Sequence, residues 1–182
     1  MKNFTKRLAI GTVAAGTLLA TAFAPGAFAS DGTTATVTGG SLSITNPLAA
    51  DFAGRSITGV AQTTTAALAT FSVSDLTGSG AGWNVTAQAS TFTGVSHNLA
   101  ASSLSMSQPT VASPDTTSAD PTIATGPYTI DSGSAVSVAS ADLLEGMGKY
   151  DFSATTLTLS LPADVFADAY ASTVTISVVS AP

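Results

Sequence analysis

Beyond residue 30, apolar and polar residues alternate with a period of two along most of the chain, and sustained helical periodicity is absent. The clearest run sets Trp83, Val85, Ala87 and Ala89 against Asn84, Thr86, Gln88 and Ser90, the pattern of a strand with one face turned inward. Upstream, Phe71 and Val73 share one face and Ser72 and Ser74 the other, so that strand ends at Asp75 or Leu76. The segment 77–82, TGSGAG, lies between the two runs, and residues 71–94 are expected to form a β-hairpin across a flexible glycine turn. Residues 34–45, TATVTGGSLSIT, predict a second hairpin about Gly39 and Gly40, and 57–65 a further strand. Leu99, Leu104 and Met106 are inward positions of a weaker run, and alternation resumes over 128–138. Leu157, Leu159 and Leu161 mark one face of a strand within 150–161, and a last strand occupies 174–178. The segment 141–148, ADLLEGMG, predicts one helical turn closing at glycine. Pro109, Pro114, Pro121 and Pro127 exclude a central strand from 108–127, which is expected to be a long Pro/Ser/Thr-rich surface loop. Roughly seven to ten short strands separated by turn signals predict an all-β, single-domain β-sandwich of Ig-like, Greek-key type.

The first residues break this pattern. Lys2, Lys6 and Arg7 precede an apolar run over 8–24, a Pro25-Gly26 break and Ala27-Phe28-Ala29, the layout of a secretory signal peptide. The run falls short of the ~20 residues of a membrane-spanning helix. The expected organisation is a signal peptide at 1–29 and one domain at 30–182, secreted and without membrane insertion after cleavage. Removing 29 of the 182 residues leaves 153, enough for a substantial core. Only Arg55 and Lys149 then remain against eleven acidic residues, a formal charge of −9. Such a surface offers no basic stripe to phosphates, which argues against nucleic acid. With no Cys, the domain relies on burial and strand pairing, and lipid attachment through a signal-peptide Cys is excluded. The 161–165 segment LPADV lacks the Thr-Gly of a sorting signal, so the mature protein is expected to be released or held non-covalently.

Chemistry-bearing residues are sparse. His97, the sole histidine, sits in a loop-like Ser-His-Asn context without a nucleophile-elbow pattern, and a structural role outweighs a triad role. The carboxylate pairs Asp142 with Glu145 and Asp164 with Asp168 have nothing to place them in a cleft, and solvated acids explain both. Zinc-ligand and EF-hand spacings are absent, and Asp115 and Asp120 provide too few ligands for a calcium cage. The glycines before Trp83 lack the strand-to-helix context and Lys of a phosphate cradle. Catalytic residues, cofactor and metal are therefore all expected to be none. Trp83 reads as a core residue beside Val85 and Ala87, with stacking on a sugar or a partner as the competing role.

The stretch SDLTGSGAGWNVTAQASTFTG resembles the first signature of the WxL-domain family of secreted bacterial surface proteins, in which an acidic strand end and a glycine turn lead into Trp-x-Leu. Here that motif is Trp83-Asn84-Val85. The C-terminal LTLSLPADVFADAYASTVTISVVSAP resembles the second signature, with Tyr170 in place and Ile176 and Val178 at the positions matching Trp and Leu. The TVTGGSLSIT start is similar too, so the resemblance spans nearly the whole mature chain. Ile at 176 keeps an apolar, strand-favouring residue, and the fold is expected to persist. The resemblance implies a non-catalytic protein of the Gram-positive cell surface, held non-covalently to peptidoglycan or to other surface proteins. An alternative from the residues themselves is a structural subunit of an extracellular fibre or matrix, self-assembled by strand exchange through its terminal strand.

Overall fold

The computed structural model describes residues 33–113 and 117–181. The signal-peptide segment 1–29, the expected start at Ser30, Pro114, Asp115 and Pro182 lie outside the described residues. Every strand among the described residues belongs to the unit Val37–Pro182. In chain order these are β1 (Leu42–Ile44), β2 (Gln62–Leu68), β3 (Phe71–Asp75), β4 (Trp83–Ala89), β5 (Leu104–Met106) and β6 (Val111–Ala112). They continue with β7 (Thr122–Ile123), β8 (Tyr128–Thr129), β9 (Val136–Ala141), β10 (Gly148–Phe152), β11 (Thr155–Leu161) and β12 (Val174–Ser180). Among the described residues there is no helix, and the fold is all-β.

The strands form three four-stranded antiparallel sheets, ordered β1-β3-β10-β6, β2-β11-β5-β8 and β12-β4-β9-β7. The first two are joined by a bend that keeps register. Leu68 of β2 faces Thr155 of β11, and Phe71 of β3 faces Phe152 of β10, so both strands advance by three residues across the bend. The Phe71 and Phe152 rings stack there, with centroids 4.6 Å apart and planes 2° from parallel. One apolar cluster draws on the inner faces of all three sheets, including Leu68, Val73, Val85, Leu104, Tyr150 and Leu157. The period-two alternation is realised directly: β4 buries Trp83, Val85, Ala87 and Ala89, and β3 buries Phe71, Val73 and Asp75.

Strand pairing departs from the expected hairpins. β3 and β4 do not pair, because both edges of β3 are taken by β1 and β10 and both edges of β4 by β12 and β9. Residues 76–82 instead carry the chain from one sheet to another. This turn is braced rather than slack: Asp75 Oδ1 accepts from the Thr77 N–H at 3.0 Å, the Ser79 N–H donates to Thr77 Oγ1 at 3.2 Å, and the Ala81 N–H to Ser79 Oγ at 3.3 Å. Short polar side chains at every second position thus satisfy successive backbone donors. The 34–45 hairpin does not form either. Gly40 donates to the Leu76 carbonyl at 2.6 Å, and a Cβ on Gly39 would strike the Thr77 carbonyl, so the glycine pair permits close passage alongside β3 rather than a turn.

Three other segments differ from expectation. Residues 141–148 end β9 and turn without helix: the Glu145 N–H donates to the Asp142 carbonyl at 3.0 Å, with Leu144 at φ 67°. The strand expected over 57–65 begins only at Gln62, leaving Ile57 and Val60 exposed. The 108–127 window contains the two-residue strands β6 and β7, which pair at the margins of their sheets with β10 and β9.

Candidate functional site

Trp83 opens β4 with a fully buried ring. Its Nε1–H donates to the Gly146 carbonyl at 2.8 Å, and its ring lies against Tyr150 with centroids 6.0 Å apart and planes inclined by 59°. The indole therefore ties β4 to the connection between β9 and β10. Gly146 is required at that contact: its φ is 68°, and a Cβ there would sit 2.6 Å from Trp83 Nε1. The same connection is fastened to the glycine turn by the Leu144 N–H, which donates to the Gly80 carbonyl at 2.8 Å.

Two of the other motif positions, Ile176 and Val178, lie along the neighbouring strand β12. In the β4–β12 ladder Val85 faces Val178, Ala87 faces Ile176 and Trp83 faces Ser180. Val85 and Ile176 are buried and Val178 is half-buried. The structure thus brings Trp83, Val85, Ile176 and Val178 onto one strand pair. Tyr170 stands apart, beyond the opposite end of that pair, where Thr93 bridges Ala171. Its hydroxyl donates to the Phe166 carbonyl at 3.0 Å, and its half-buried ring lines a groove of about 520 Å³.

That groove lies between two irregular segments, 52–57 and 165–170, and is floored by Leu159 and Leu161 of β11. Side chains of β2 hold the first segment in place: Thr64 Oγ1 donates to the Ala53 carbonyl at 2.9 Å, and Gln62 Nε2 to the Ser56 carbonyl at 2.9 Å. Phe52 is braced edge-on by Phe92, with centroids 5.8 Å apart at 74°. On the other wall Phe166 is 60 % exposed and stacks on His97, with centroids 3.8 Å apart and planes 9° from parallel. Asp168 fastens this wall. Its Oδ2 accepts from the N–H groups of Ser96 at 2.9 Å and His97 at 3.3 Å, and Oδ1 from Ala169 at 2.8 Å. These backbone donors, led by Ser96, hold its carboxyl below the ordinary carboxylate range.

Arg55 also lines the groove. Lys149 is paired with Asp151 at 3.1 Å, whereas Arg55 has no ion pair among the described residues. The other acids stay dispersed: Asp164 and Asp142 are exposed, and Asp120 accepts from Ser113 Oγ. Among the described residues no group of three or more His, Cys, Asp or Glu could hold a metal. Sequence reasoning did not find the groove. The available signal was the placement of Phe52 and Phe166 in non-alternating segments, one of which also carries Arg55.

The family model of the WxL domain, described as a surface cell wall-binding domain, matches residues 25–182. The chain belongs to the WxL-domain family. No curated protein and no solved structure matches it. The matched span includes Trp83-Asn84-Val85 and the 170–178 segment; in this WxL domain Trp83, Val85, Ile176 and Val178 lie on adjacent strands, while Tyr170 lies at the groove. The family assignment makes this a cell wall-binding surface domain.

Proposed function

We propose that the protein is a secreted, non-catalytic surface module, held without covalent linkage to peptidoglycan or to other proteins of a Gram-positive cell surface. Residues 1–29 serve as the signal peptide and 30–182 as one binding domain, a β-sandwich of Ig-like type whose Trp83, Val85, Ile176 and Val178 are structural positions. The WxL match over 25–182 carries this reading. Burial of Trp83 and Val85 supports the structural role, because side chains without solvent contact cannot touch a wall polymer. The test is sedimentation of purified 30–182 with isolated peptidoglycan sacculi. Pelleting with sacculi, and not alone, supports wall binding; a protein that stays in the supernatant and captures no surface protein from an extract removes the proposal.

One observation favours a second reading. β12 is an edge strand of seven residues, Val174–Ser180, with no Pro and no charge to block pairing with another chain. Assembly by strand exchange would use this edge, and filaments of the purified domain in negative-stain micrographs would favour it over a monomeric module.

A further inference from the structure

We propose that the groove between 52–57 and 165–170 is the ligand site of this domain and that it takes a carboxylate-bearing glycan, with Arg55 holding the carboxylate and exposed aromatic rings holding the sugar. The inference rests on the wall-binding reading and adds the place and the chemistry of recognition.

The volume, about 520 Å³, suits a short oligosaccharide segment. The walls are preformed rather than assembled on binding. Thr64 and Gln62 pin the 52–57 segment, and three backbone donors on Asp168 fix the wall that carries Phe166. Little ordering entropy then opposes the ligand. Phe166 presents a largely exposed ring whose plane is set by stacking on His97, and Phe52 and Tyr170 contribute further ring surface. Flat apolar rings of this kind match the C–H faces of pyranose sugars.

Charge selects among sugars. The mature domain carries two cations against eleven acids, and it would repel an anionic polymer over most of its surface. The exception is the groove, where Arg55 is exposed and has no carboxylate on it among the described residues. A guanidinium fork with its donors free fits a carboxylate in two parallel hydrogen bonds. Asp168, the acid on the facing wall, already directs both oxygens to backbone N–H groups and does not occupy the arginine.

The experiment measures binding of the 30–182 chain, by calorimetry and by sacculus pelleting, to two soluble probes: peptidoglycan glycan fragments, which carry lactyl and stem-peptide carboxylates, and chito-oligosaccharides, which share the aminosugar ring but lack carboxylates. The expected result is binding to the peptidoglycan fragments with a clear preference over chito-oligosaccharides. Arg55→Ala should weaken it by roughly tenfold or more, Phe166→Ala by roughly threefold to tenfold, and Arg55→Lys less than Arg55→Ala. Both positions are exposed, so Arg55→Ala is expected to melt within error of the parent and Phe166→Ala, which loses only the stacking on His97, within a few degrees of it, which shows that the loss is not unfolding. Trp83→Phe, if folded, should keep the parent affinity. Wild-type binding to sacculi with no loss in Arg55→Ala and Phe166→Ala overturns the groove while leaving wall binding intact. Equal affinity for both probes, insensitive to Arg55→Ala, overturns carboxylate recognition. Absence of wild-type binding to any wall preparation overturns both the groove and the reading beneath it.

Discussion

Replacing Trp83 tests whether the WxL motif of this chain holds the fold together. The indole is fully buried, packs against Tyr150, and donates to a carbonyl on Gly146, itself buried. Trp83→Ala removes the ring and leaves a cavity among strands whose registers are fixed on both sides, so the site cannot collapse freely. Such truncations cost about 3 to 5 kcal/mol. Trp83→Phe keeps most of the ring and forfeits the hydrogen bond, leaving the Gly146 carbonyl unpaired at a cost of about 1 to 3 kcal/mol. In a chain of this size each kcal/mol lowers Tm by roughly 2 to 4 °C. Against a typical total of about 5 to 15 kcal/mol, the alanine variant is expected near the margin of stability and the phenylalanine variant between it and the parent. Thermal and urea unfolding followed by circular dichroism measures all three. Trp83 is also the only tryptophan, so in the parent its emission should shift to the red through the same transition. An alanine variant with the parent's Tm that has lost only sacculus binding would refute the argument, since it would make the ring a contact residue.

Other perturbations probe the same contacts and the groove wall. Asp168 has a folded pKa below its ordinary 3.8, so its contribution to stability is fully present above that value and is lost as pH falls through the lower folded pKa. Parent and Asp168→Asn should therefore differ in Tm near neutrality and converge below pH 3.8, and a gap that widens on acidification would contradict the assignment. Gly146→Ala should cost at least about 2 kcal/mol through its positive φ and the collision with Trp83, whereas Gly133→Ala, at φ 92° with open space around it, should cost only about 1 to 2 kcal/mol from the backbone, as compared by urea midpoints. Ile176→Trp, which introduces the aromatic residue expected there from the resemblance to the second signature, should destabilise by about 1 to 3 kcal/mol in chemical unfolding, because position 176 is buried opposite Ala87 in a core already filled around isoleucine.

Face assignments were legible in the sequence, and strand partners were not. Period-two alternation placed Trp83, Val85 and Ala87 on one face, and the same rule found Leu104, Met106, Leu157 and Leu159, all buried. Alternation says which way a side chain points and nothing about which strand lies alongside. The glycine turn at 77–82 was compatible with a hairpin, yet β3 pairs with β10, whose first residue lies more than seventy positions along the chain. Pairings of that span are decided by which edges remain open once the core has collapsed. The 141–148 segment carried the composition of a helical turn, but the Gly146 N–H donates to the Ala119 carbonyl and the Met147 N–H to Ser118 Oγ, which takes two backbone donors that a helix would use. The groove was hidden for a related reason. Its walls are irregular segments held by side chains of β2 and by Asp168, and neither wall shows a periodic pattern that could announce it.

The separation of motif from groove bears on what the altered second motif means. Were the signature positions the contact surface, an isoleucine at 176 would remove an aromatic platform and with it the capacity to hold a sugar. The side chain at 176 is instead buried, opposite Ala87 on the strand that begins with Trp83. What that position requires is apolar volume and a strand-compatible shape, and isoleucine provides both. Tyr170, half-buried like Val178, lies instead at the groove beside Phe166 and Arg55, beyond the far end of the β4–β12 pair from Trp83. On the proposed assignment, substitution at the paired strands acts through stability, and substitution at the groove acts through affinity. The two can drift independently in a chain that keeps both its fold and its hold on the wall.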